Sequence, residues 1–262
     1  MKKAMLLFLL FSLFVSALPP VNAQETIPTD IFGKKITLDT QGNVYVTSGP
    51  SLYKLDGNGQ LLYKYVAPLS GEITSLDVDD PMKIMLFFKE SGKIIFLNDK
   101  LAPLTQQLDL FSCHYHNISL VAYSTDNTLW LYDFINQELI NVDFFLKELG
   151  KNPLTEQRLN PIQLLSVQEK RLVLNDPATG ILIFDAFGTH ITTLPFLSKR
   201  PVQVTGTIVF YLKDNVLCCY DFLLHQAGIV GDLGQPAAAA VCNASKIYYL
   251  DADSRLNIIS RK

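Results

Sequence analysis

The stretch Ile36 to Tyr65, ITLDTQGNVYVTSGPSLYKLDGNGQLLYKY, decides the fold of this chain. It holds four short apolar runs separated by three turn sequences, which are Gln41-Gly42, Ser48-Gly49-Pro50 and Asp56-Gly57-Asn58-Gly59. Glycine and asparagine accept the positive φ that tight hairpins require, so the runs are expected to be antiparallel strands. The stretch therefore predicts one four-stranded blade of a β-propeller.

The same unit recurs along the chain, marked by an apolar residue followed by Asp or Asn where the third run ends. The copies are Leu55-Asp56, Leu97-Asn98, Tyr132-Asp133, Phe184-Asp185 and Tyr220-Asp221, with a weaker sixth at Ile259-Ser260. Their spacings of 42, 35, 52, 36 and 39 residues are typical of propeller blades, apart from one long interval. We expect an all-β, six-bladed β-propeller of four-stranded blades, as a single domain over residues 24–262.

The last unit has only three apolar runs before the chain ends at Lys262. A β-prone segment from Ile27 to Phe32 precedes the first unit, and we expect it to supply the missing fourth strand. This N-terminal strand would close the last blade and protect the edges that an open ring exposes. Several later units are apolar almost continuously, as strands buried on both faces require.

The interval of 52 residues includes the segment Asn141 to Pro161. Asp143 can cap a short helix that runs to Leu149, and Gly150 and Pro153 would stop it. The pattern predicts a short helical insertion between blades 3 and 4. Such an insertion covers a blade edge or binds a partner, and its candidate partner-binding residues are Phe144, Phe145, Lys147 and Glu148.

Residues 1–23 are typical of a secretory signal peptide. Lys2 and Lys3 precede an apolar run from Ala4 to Leu18, and Val21-Asn22-Ala23 has the small residues of a cleavage site. The apolar run of about 15 residues is shorter than the roughly 20 that span a bilayer. We expect cleavage after Ala23, export to the periplasm or cell envelope of a Gram-negative bacterium, and no membrane span in the mature chain.

Composition narrows the range of partners. The net charge is −3 and the isoelectric point is near 5.8, which gives no general attraction to phosphates and argues against nucleic acid as a partner. The four cysteines, Cys113, Cys218, Cys219 and Cys242, allow three connectivities for two disulfides, and free buried thiols are the alternative that we favour.

The segment Asp39 to Val46, DTQGNVYV, resembles the NHL-type propeller repeat when taken with Leu52, Leu55-Asp56 and Gly59. The repeat runs D-x-x-G-N-x-Y-V and ends in an apolar-Asp pair before a glycine turn. The match is good over about 25 residues of the first unit, and the other units lose the Gly-Asn. The resemblance implies six blades and an exported propeller similar to NHL-like and gluconolactonase-like proteins. The chain also resembles envelope propellers of Bacteroidota.

Two groups of residues could carry chemistry. In the strand expected to open the third blade, Cys113 and Tyr115 would share one face while His114 and His116 share the other, where both imidazoles could reach a metal. Glu72, Asp77, Asp79 and Asp80 offer carboxylates near the second unit, although DVDDP is also typical of a solvated turn. The sequence has no G-x-S-x-G, H-E-x-x-H or phosphate-binding glycine loop, and no motif identifies a cofactor.

These observations favour a non-catalytic, exported propeller that acts as a protein-binding scaffold in a cell-envelope assembly. Aromatic residues expected in loops, Phe134, Phe144, Phe145 and Phe222, could anchor a protein partner because aromatic side chains dominate binding hot spots. The alternatives are a metal-dependent hydrolase or lactonase of the gluconolactonase-like type, as the resemblance implies, and a carbohydrate-binding module. The sequence leaves the partner, a channel metal and the oligomeric state open.

Overall fold

The computed structural model describes residues 26–124, 126–154, 162–168 and 170–261. Within these residues the chain forms six four-stranded antiparallel sheets, arranged as the blades of a propeller. The predicted all-β, six-bladed architecture is therefore confirmed. The predicted signal peptide lies outside the described residues.

The chain begins with strand β1 (Thr26–Phe32) and then builds blades 1 to 3, each from four consecutive strands. Blade 1 contains β2 (Lys35–Leu38), β3 (Val44–Ser48), β4 (Ser51–Leu55) and β5 (Leu61–Val66). Blade 2 contains β6 (Ile73–Asp77), β7 (Ile84–Phe88), β8 (Lys93–Leu97) and β9 (Pro103–Asp109). After a 3₁₀ turn (Phe111–Cys113), blade 3 contains β10 (Ile118–Ser124), β11 (Thr128–Asp133), β12 (Glu138–Val142) and β13 (Glu148–Pro153).

The second half of the chain builds blades 4 to 6 in the same way. Blade 4 contains β14 (Leu164–Gln168), β15 (Arg171–Asp176), β16 (Gly180–Phe184) and β17 (His190–Thr193). Blade 5 contains β18 (Gln203–Thr205), β19 (Ile208–Lys213), β20 (Val216–Asp221) and β21 (Gln226–Asp232). Blade 6 contains β22 (Ala237–Cys242), β23 (Lys246–Asp251) and β24 (Arg255–Ser260), with β1 as its outer strand.

The core lies between neighbouring blades. Six apolar clusters each join two adjacent blades, and one of them joins blade 6 to blade 1. The middle strands are buried on both faces, and every residue of β7 and of β16 is buried. The nearly continuous apolar runs of the sequence are explained by this stacking, because each blade is covered by a neighbour on both sides.

The N-terminal strand closes the ring as predicted. β1 pairs antiparallel with β24, with Ile27 opposite Ile258 and Phe32 opposite Arg255, and the register shifts once between these pairs. Ile31 packs against the core between blades 6 and 1, and the Thr29 hydroxyl donates to the Leu256 carbonyl at 3.1 Å. Both ends of the described chain are thus held in one sheet.

The predicted helical insertion is wrong. Residues 143–147 form a tight turn between β12 and β13, and Glu148 to Pro153 form the outer strand of blade 3. The error began at Tyr132-Asp133, which ends the second strand of blade 3, whereas its third strand ends at Val142-Asp143. With that correction the marker residues of the six units are spaced 42, 45, 42, 36 and 39 residues apart, and the long interval disappears. These residues are Asp56, Asn98, Asp143, Asp185, Asp221 and Ser260.

Among the described residues a five-residue turn recurs six times, and it explains the apolar-Asp signature except at Asp133 and Asp221, which accept from the residues two and three positions later. The first residue of the five-residue turn accepts hydrogen bonds from the backbone N–H groups two and four positions later, and the residue three positions later has positive φ. The turns begin at Asp39, Asp56, Asn98, Asp143, Asp185 and Asp251. A carboxylate or amide oxygen is needed there because the turn leaves two N–H groups without strand partners.

No helix in the described part of the chain is long and apolar enough to cross a membrane.

Candidate functional site

The first strand of each blade lines a central channel, so the ends of these strands determine its two mouths. The channel end where the first strands finish encloses a cavity of about 500 Å³, and all six blades contribute to its wall. Thr37, Asp77, Gln168, Thr205 and Asn243 are among the polar residues that face it. We call this end the acidic mouth because aspartates are the charged residues of its wall.

Three aspartates line the acidic mouth: Asp39, which accepts hydrogen bonds within its own blade, and the neighbouring pair Asp77 and Asp79. The Asp79 backbone N–H donates to Asp77 Oδ1 at 3.1 Å, and Tyr123 N–H donates to Asp77 Oδ2 at 3.4 Å. Across the channel, Gln168 Nε2 of blade 4 donates to Asp79 Oδ2. Burial by the channel walls raises the pKa of both carboxyl groups, and the charge of Asp79 raises the pKa of Asp77 further. These two groups therefore exchange protons closer to neutral pH than ordinary aspartates.

The opposite end of the channel, where the first strands begin, encloses a cavity of about 680 Å³. Its wall includes Lys34, Lys35 and Lys89, with Glu72 as its carboxylate, and we call it the basic mouth. Lys34 Nζ lies 2.9 Å from Glu72 Oε2, and the Lys89 ammonium lies 4.5 Å from the centre of the Phe134 ring. The channel is therefore positively charged at one end and negatively charged at the other.

The four carboxylates considered from sequence do not form one site. Asp77 and Asp79 lie at the acidic mouth, whereas Glu72 lies at the basic mouth. Asp80 belongs to the turn before β7, where it accepts the Met82 N–H at 2.9 Å. The interpretation of DVDDP as a simple turn is thus correct for Asp80 and incomplete for Asp77 and Asp79.

The histidine pair has a different geometry from the one predicted. His114 follows the 3₁₀ turn with φ 65°, and β10 begins only at Ile118, so no strand places His114 and His116 on a common face. Both imidazoles are exposed, and their ring centres lie 6.3 Å apart. Neither lines the channel cavities. Among the described residues, no group of three or more His, Cys, Asp or Glu side chains is placed to hold a metal ion.

Of the predicted partner-binding residues, Phe144 packs against other side chains of the same chain. Its ring packs against the core between blades 2 and 3 and lies 3.9 Å from the ammonium of Lys83. Phe96 and Tyr123 complete an aromatic enclosure around that ammonium, with centroid distances of 5.2 and 4.7 Å. Burial lowers the pKa of Lys83. The enclosure fixes the turn before β7 against blade 3.

The other predicted residues of this turn face solvent. Phe145 has 87% of its surface exposed, and Lys147 and Glu148 are exposed beside it. Of the other aromatic residues expected in loops, Phe222 is buried between blades 4 and 5, and Phe134 lines the basic mouth. The prediction of an accessible aromatic therefore holds for Phe145 and is wrong for Phe222.

Equivalent turns in the next two blades carry similar apolar tips that sequence reasoning missed. Phe187 of blade 4 is 80% exposed, and Leu223 and Leu224 of blade 5 are 55% and 65% exposed. Each tip lies in the turn between the third and fourth strands, on the face of the ring that holds the acidic mouth. We call Phe145, Phe187, Leu223 and Leu224 the turn-tip patch.

The turns that carry this patch are held by hydrogen bonds. The backbone N–H of Phe145 and that of Phe187 each donate to the leading aspartate at 2.8 Å. Asn152 of the outer strand of blade 3 donates to the Phe187 carbonyl at 2.6 Å, which ties neighbouring blades together. At the position of Phe145, blades 1 and 2 have Asn58 and Lys100 instead. The apolar tips thus occupy only one side of the ring.

The four cysteines are free thiols in the structure. Cys218 and Cys242 are buried and Cys113 is exposed, so the expectation of buried thiols holds for only part of the set. Burial raises the pKa of Cys218 and raises that of Cys242 to about 11.

Comparison with known proteins identifies the fold and no family. No family model and no curated protein match the chain. Among solved structures, a streptogramin B lyase has a TM-score of 0.60 and 13% identity, covering 91% of this chain and 97% of the lyase. A catalytically inactive virginiamycin B lyase from Staphylococcus aureus with quinupristin has a TM-score of 0.57 and 11% identity, covering 92% and 97% of the two chains.

A chain of the mitotic checkpoint complex is also similar, with a TM-score of 0.54 and 11% identity over 100% of this chain and 88% of the other. These identities are low enough that the likeness concerns the fold alone. The propeller neighbours include enzymes as well as members of protein assemblies, and one scaffold serves both.

Proposed function

We propose that this chain is an exported, non-catalytic propeller of the NHL-like type that binds a protein partner in a cell-envelope assembly. The observation that carries the proposal is the turn-tip patch. Three successive blades present large apolar side chains at equivalent, rigidly held turns on one side of one face. Large apolar side chains exposed on the same face of successive blades favour contact with another protein, because burial against a partner removes them from water.

The turns are suited to binding because they are already ordered. Asp143, Asp185 and Asp221 each accept two backbone N–H groups from the turn that they begin. A partner would therefore meet side chains on a fixed backbone and would lose little conformational entropy in ordering them. Aromatic tips surrounded by polar turn residues have the composition of binding hot spots.

The test compares two variants with matched exposure on opposite faces. In one, Phe145 and Phe187 are both changed to Ser; in the control, Leu69, which is 96% exposed beyond β5 on the opposite face, is changed to Ser. Crosslinking in the native cells identifies the partner, and titration of the purified partner gives the dissociation constant. We expect the double variant to bind at least about tenfold more weakly and the control to bind like the parent.

Equal binding of all three proteins would contradict the assignment of this surface. A parent protein that recovers no reproducible partner would contradict the scaffold function itself. Self-association that the double variant abolishes would show that the patch joins two copies of this chain.

The proposed location in the cell envelope has a separate test. Fractionation of the native cells is expected to place the chain in the periplasm or envelope, and N-terminal sequencing is expected to begin at Gln24. A cytoplasmic chain that retains residues 1–23 would contradict export, without bearing on the turn-tip patch.

The metal-dependent hydrolase or lactonase remains the competing proposal, because similar propellers include lyases and because Asp77 and Asp79 lie together in the channel. Metal analysis of the purified protein, with activity and stability measured before and after chelation, separates the two proposals. A stoichiometric divalent ion whose removal abolishes an activity would favour the hydrolase.

A further inference from the structure

The basic mouth contains positive charge that the described residues do not neutralise. Lys34, Lys35 and Lys89 line its cavity, and Glu72 is the carboxylate in the same wall. Glu72 forms an ion pair with Lys34, at 2.9 Å. This pairing leaves Lys35 and Lys89 as the cations of the cavity wall that form no ion pair with a described residue, although the charge of Glu72 also reaches Lys35.

Lys35 is half-buried, and its ammonium has few hydrogen-bond partners for a charged group. Its ammonium donates to the Thr74 carbonyl, and in the described ranges this is its one hydrogen bond, with no ion pair. An ammonium has three N–H donors, so two remain for a ligand or solvent. Burial lowers the pKa of Lys35, although the charge of Glu72 opposes this effect. Taking a cation out of water without an opposite charge costs free energy, which an anionic ligand would recover.

Lys89 follows β7 and lies in the same cavity wall. Its backbone N–H donates to the Thr74 hydroxyl at 3.3 Å, so Thr74 contacts both lysines. The Lys89 ammonium lies over the exposed face of Phe134, and across the residues that the structure describes it has no carboxylate within ion-pair distance. A cation over an aromatic ring keeps its outer side free to contact an anion.

The rest of the wall is a mixture of apolar and neutral polar groups. Leu120, Ile162 and Phe134 provide apolar surface, while Ser119 and Gln163 provide uncharged hydrogen-bonding groups. The volume of about 680 Å³ falls within the range of small-molecule sites. A ligand that matches this wall has one anionic end and an apolar body.

We propose that the basic mouth binds a small organic carboxylate, with the carboxylate between Lys35 and Lys89 and its apolar body against Phe134, Leu120 and Ile162. Lysine suits this role because its ammonium acts as a compact point charge, which does not require the two-point geometry of an arginine. The site lies on the face opposite the turn-tip patch, so this proposal is independent of the proposed function.

The test is calorimetric titration of the purified chain with matched acids and amides. The probes are phenylacetate and hexanoate, phenylacetamide and hexanamide as their uncharged counterparts, and inorganic phosphate. We expect both acids to bind at least about tenfold more tightly than their amides. Lys35→Met and Lys89→Met should each weaken acid binding by about tenfold or more, because each removes one of the two unpaired cations.

Lys64→Met is the matched control. Lys64 is an exposed lysine whose ammonium also lies over an aromatic ring, 5.0 Å from the centre of Tyr53, but on the outer strand of blade 1. This variant should bind the acids like the parent. Melting curves of all three variants verify that each is folded before titration.

A second measurement follows Lys35 directly. Reductive methylation with ¹³C-formaldehyde gives each lysine an NMR signal that titrates with its own pKa, and Lys35→Met identifies the signal of Lys35. Addition of phenylacetate should raise the pKa of Lys35, since an anion stabilises the protonated ammonium. The titration of Lys64 should be unchanged.

Three results would overturn the proposal. One is an absence of acid binding into the millimolar range, and another is equal binding of acids and amides. The third is phosphate binding as tight as that of the acids, which would reduce the mouth to a general anion site.

Discussion

At the scale of single residues, one aspartate orders the turn that presents Phe145. Asp143 Oδ1 accepts the N–H of Phe145 at 2.8 Å and that of Lys147 at 3.0 Å, while Leu146 adopts φ 60° and buries its side chain. A left-handed leucine is costly, so the hydrogen bonds and the burial of Leu146 must together offset that strain. Asp143 thus couples the stability of blade 3 to the position of an exposed aromatic side chain.

Replacement of Asp143 by Ala should lower the free energy of unfolding by about 1 to 2 kcal/mol, because two backbone N–H groups lose their acceptor. Asp143→Asn keeps an oxygen in the same place and should lose less than half as much. Urea denaturation of the three proteins measures the differences. Equal stability of the Ala variant and the parent would show that water replaces the carboxylate without cost.

Removal of the Lys35 charge should stabilise the fold, in contrast to removal of the Asp143 carboxylate. Without a ligand, the buried Lys35 charge lowers the free energy of unfolding. The charged groups that face it are Glu72, Lys34 and Lys89, and burial lowers its pKa below the ordinary value of 10.5. The folded state therefore binds this proton less tightly than the unfolded state. The cost is complete at neutral pH and disappears as pH rises through the lowered pKa towards 10.5.

Lys35→Met should accordingly be more stable than the parent near pH 7, and the difference should shrink near pH 10. Urea denaturation at the two pH values measures it, with Lys100→Met in an exposed turn as the control for general charge effects. A Lys35→Met protein that is less stable than the parent at neutral pH would mean that the Thr74 hydrogen bond outweighs desolvation.

At the scale of strands and turns, the sequence predicted the elements well and one boundary badly. Apolar runs separated by glycine and asparagine turns located the strands of blade 1, and the three-stranded last unit predicted the closing role of β1. Tyr132-Asp133 and Val142-Asp143 have the same apolar-Asp signature, however, and only the more even spacing of the units favours the second. They differ in the position of the left-handed residue, Gln137 in one turn and Leu146 in the other.

The histidine pair shows a second limit of pattern reasoning. Alternation of faces requires a strand, but Asp109 accepts the backbone N–H groups of Phe111 and Ser112 and starts a 3₁₀ turn there. The signal was present in the sequence as an aspartate two residues before Phe111. The composition of the two channel mouths was harder to predict from the sequence, because Lys35 and Lys89 come to one wall only through the packing of two neighbouring blades around Thr74.

Loss of the closing strand should destabilise the whole ring. Deletion of residues 24–34 removes the antiparallel partner of β24 and the Ile31 contact with the core between blades 6 and 1. We expect the melting temperature to fall by about 10 °C or more. Adding a peptide of residues 24–34 in trans should restore part of the loss.

Ile31→Ala tests the same contact in a protein that still folds. Because Ile31 is partly buried, the loss should be about 1 to 3 kcal/mol in the free energy of unfolding. A deletion variant with an unchanged melting temperature would contradict closure by β1, whatever the result for Ile31→Ala.

At the scale of the whole molecule, the ring separates three surfaces. The basic mouth lies on one face, and the acidic mouth and the turn-tip patch lie on the other. A protein partner on the turn-tip patch would leave the basic mouth open to a small ligand. The fold thereby allows a protein-binding surface and a ligand site to coexist in one domain. The net charge of −3 does not reveal that positive and negative side chains are separated at the two ends of the channel.

The acidic mouth should make the stability of the ring depend on pH. Burial raises the pKa of Asp79 to about 6 and that of Asp77 to about 7, above the unfolded value of 3.8. The folded state therefore retains protons that the unfolded state releases, so stability is lost as pH rises from about 4 to about 7.

Asp79→Asn removes one of these charges, and its amide oxygen can still accept from Gln168. We expect this variant to exceed the parent in stability near pH 8 and to match it near pH 4, as measured by urea denaturation. Asp253→Asn, in an exposed turn of blade 6, is the control for surface charge. An Asp79→Asn advantage that does not change with pH would contradict a raised pKa in the channel.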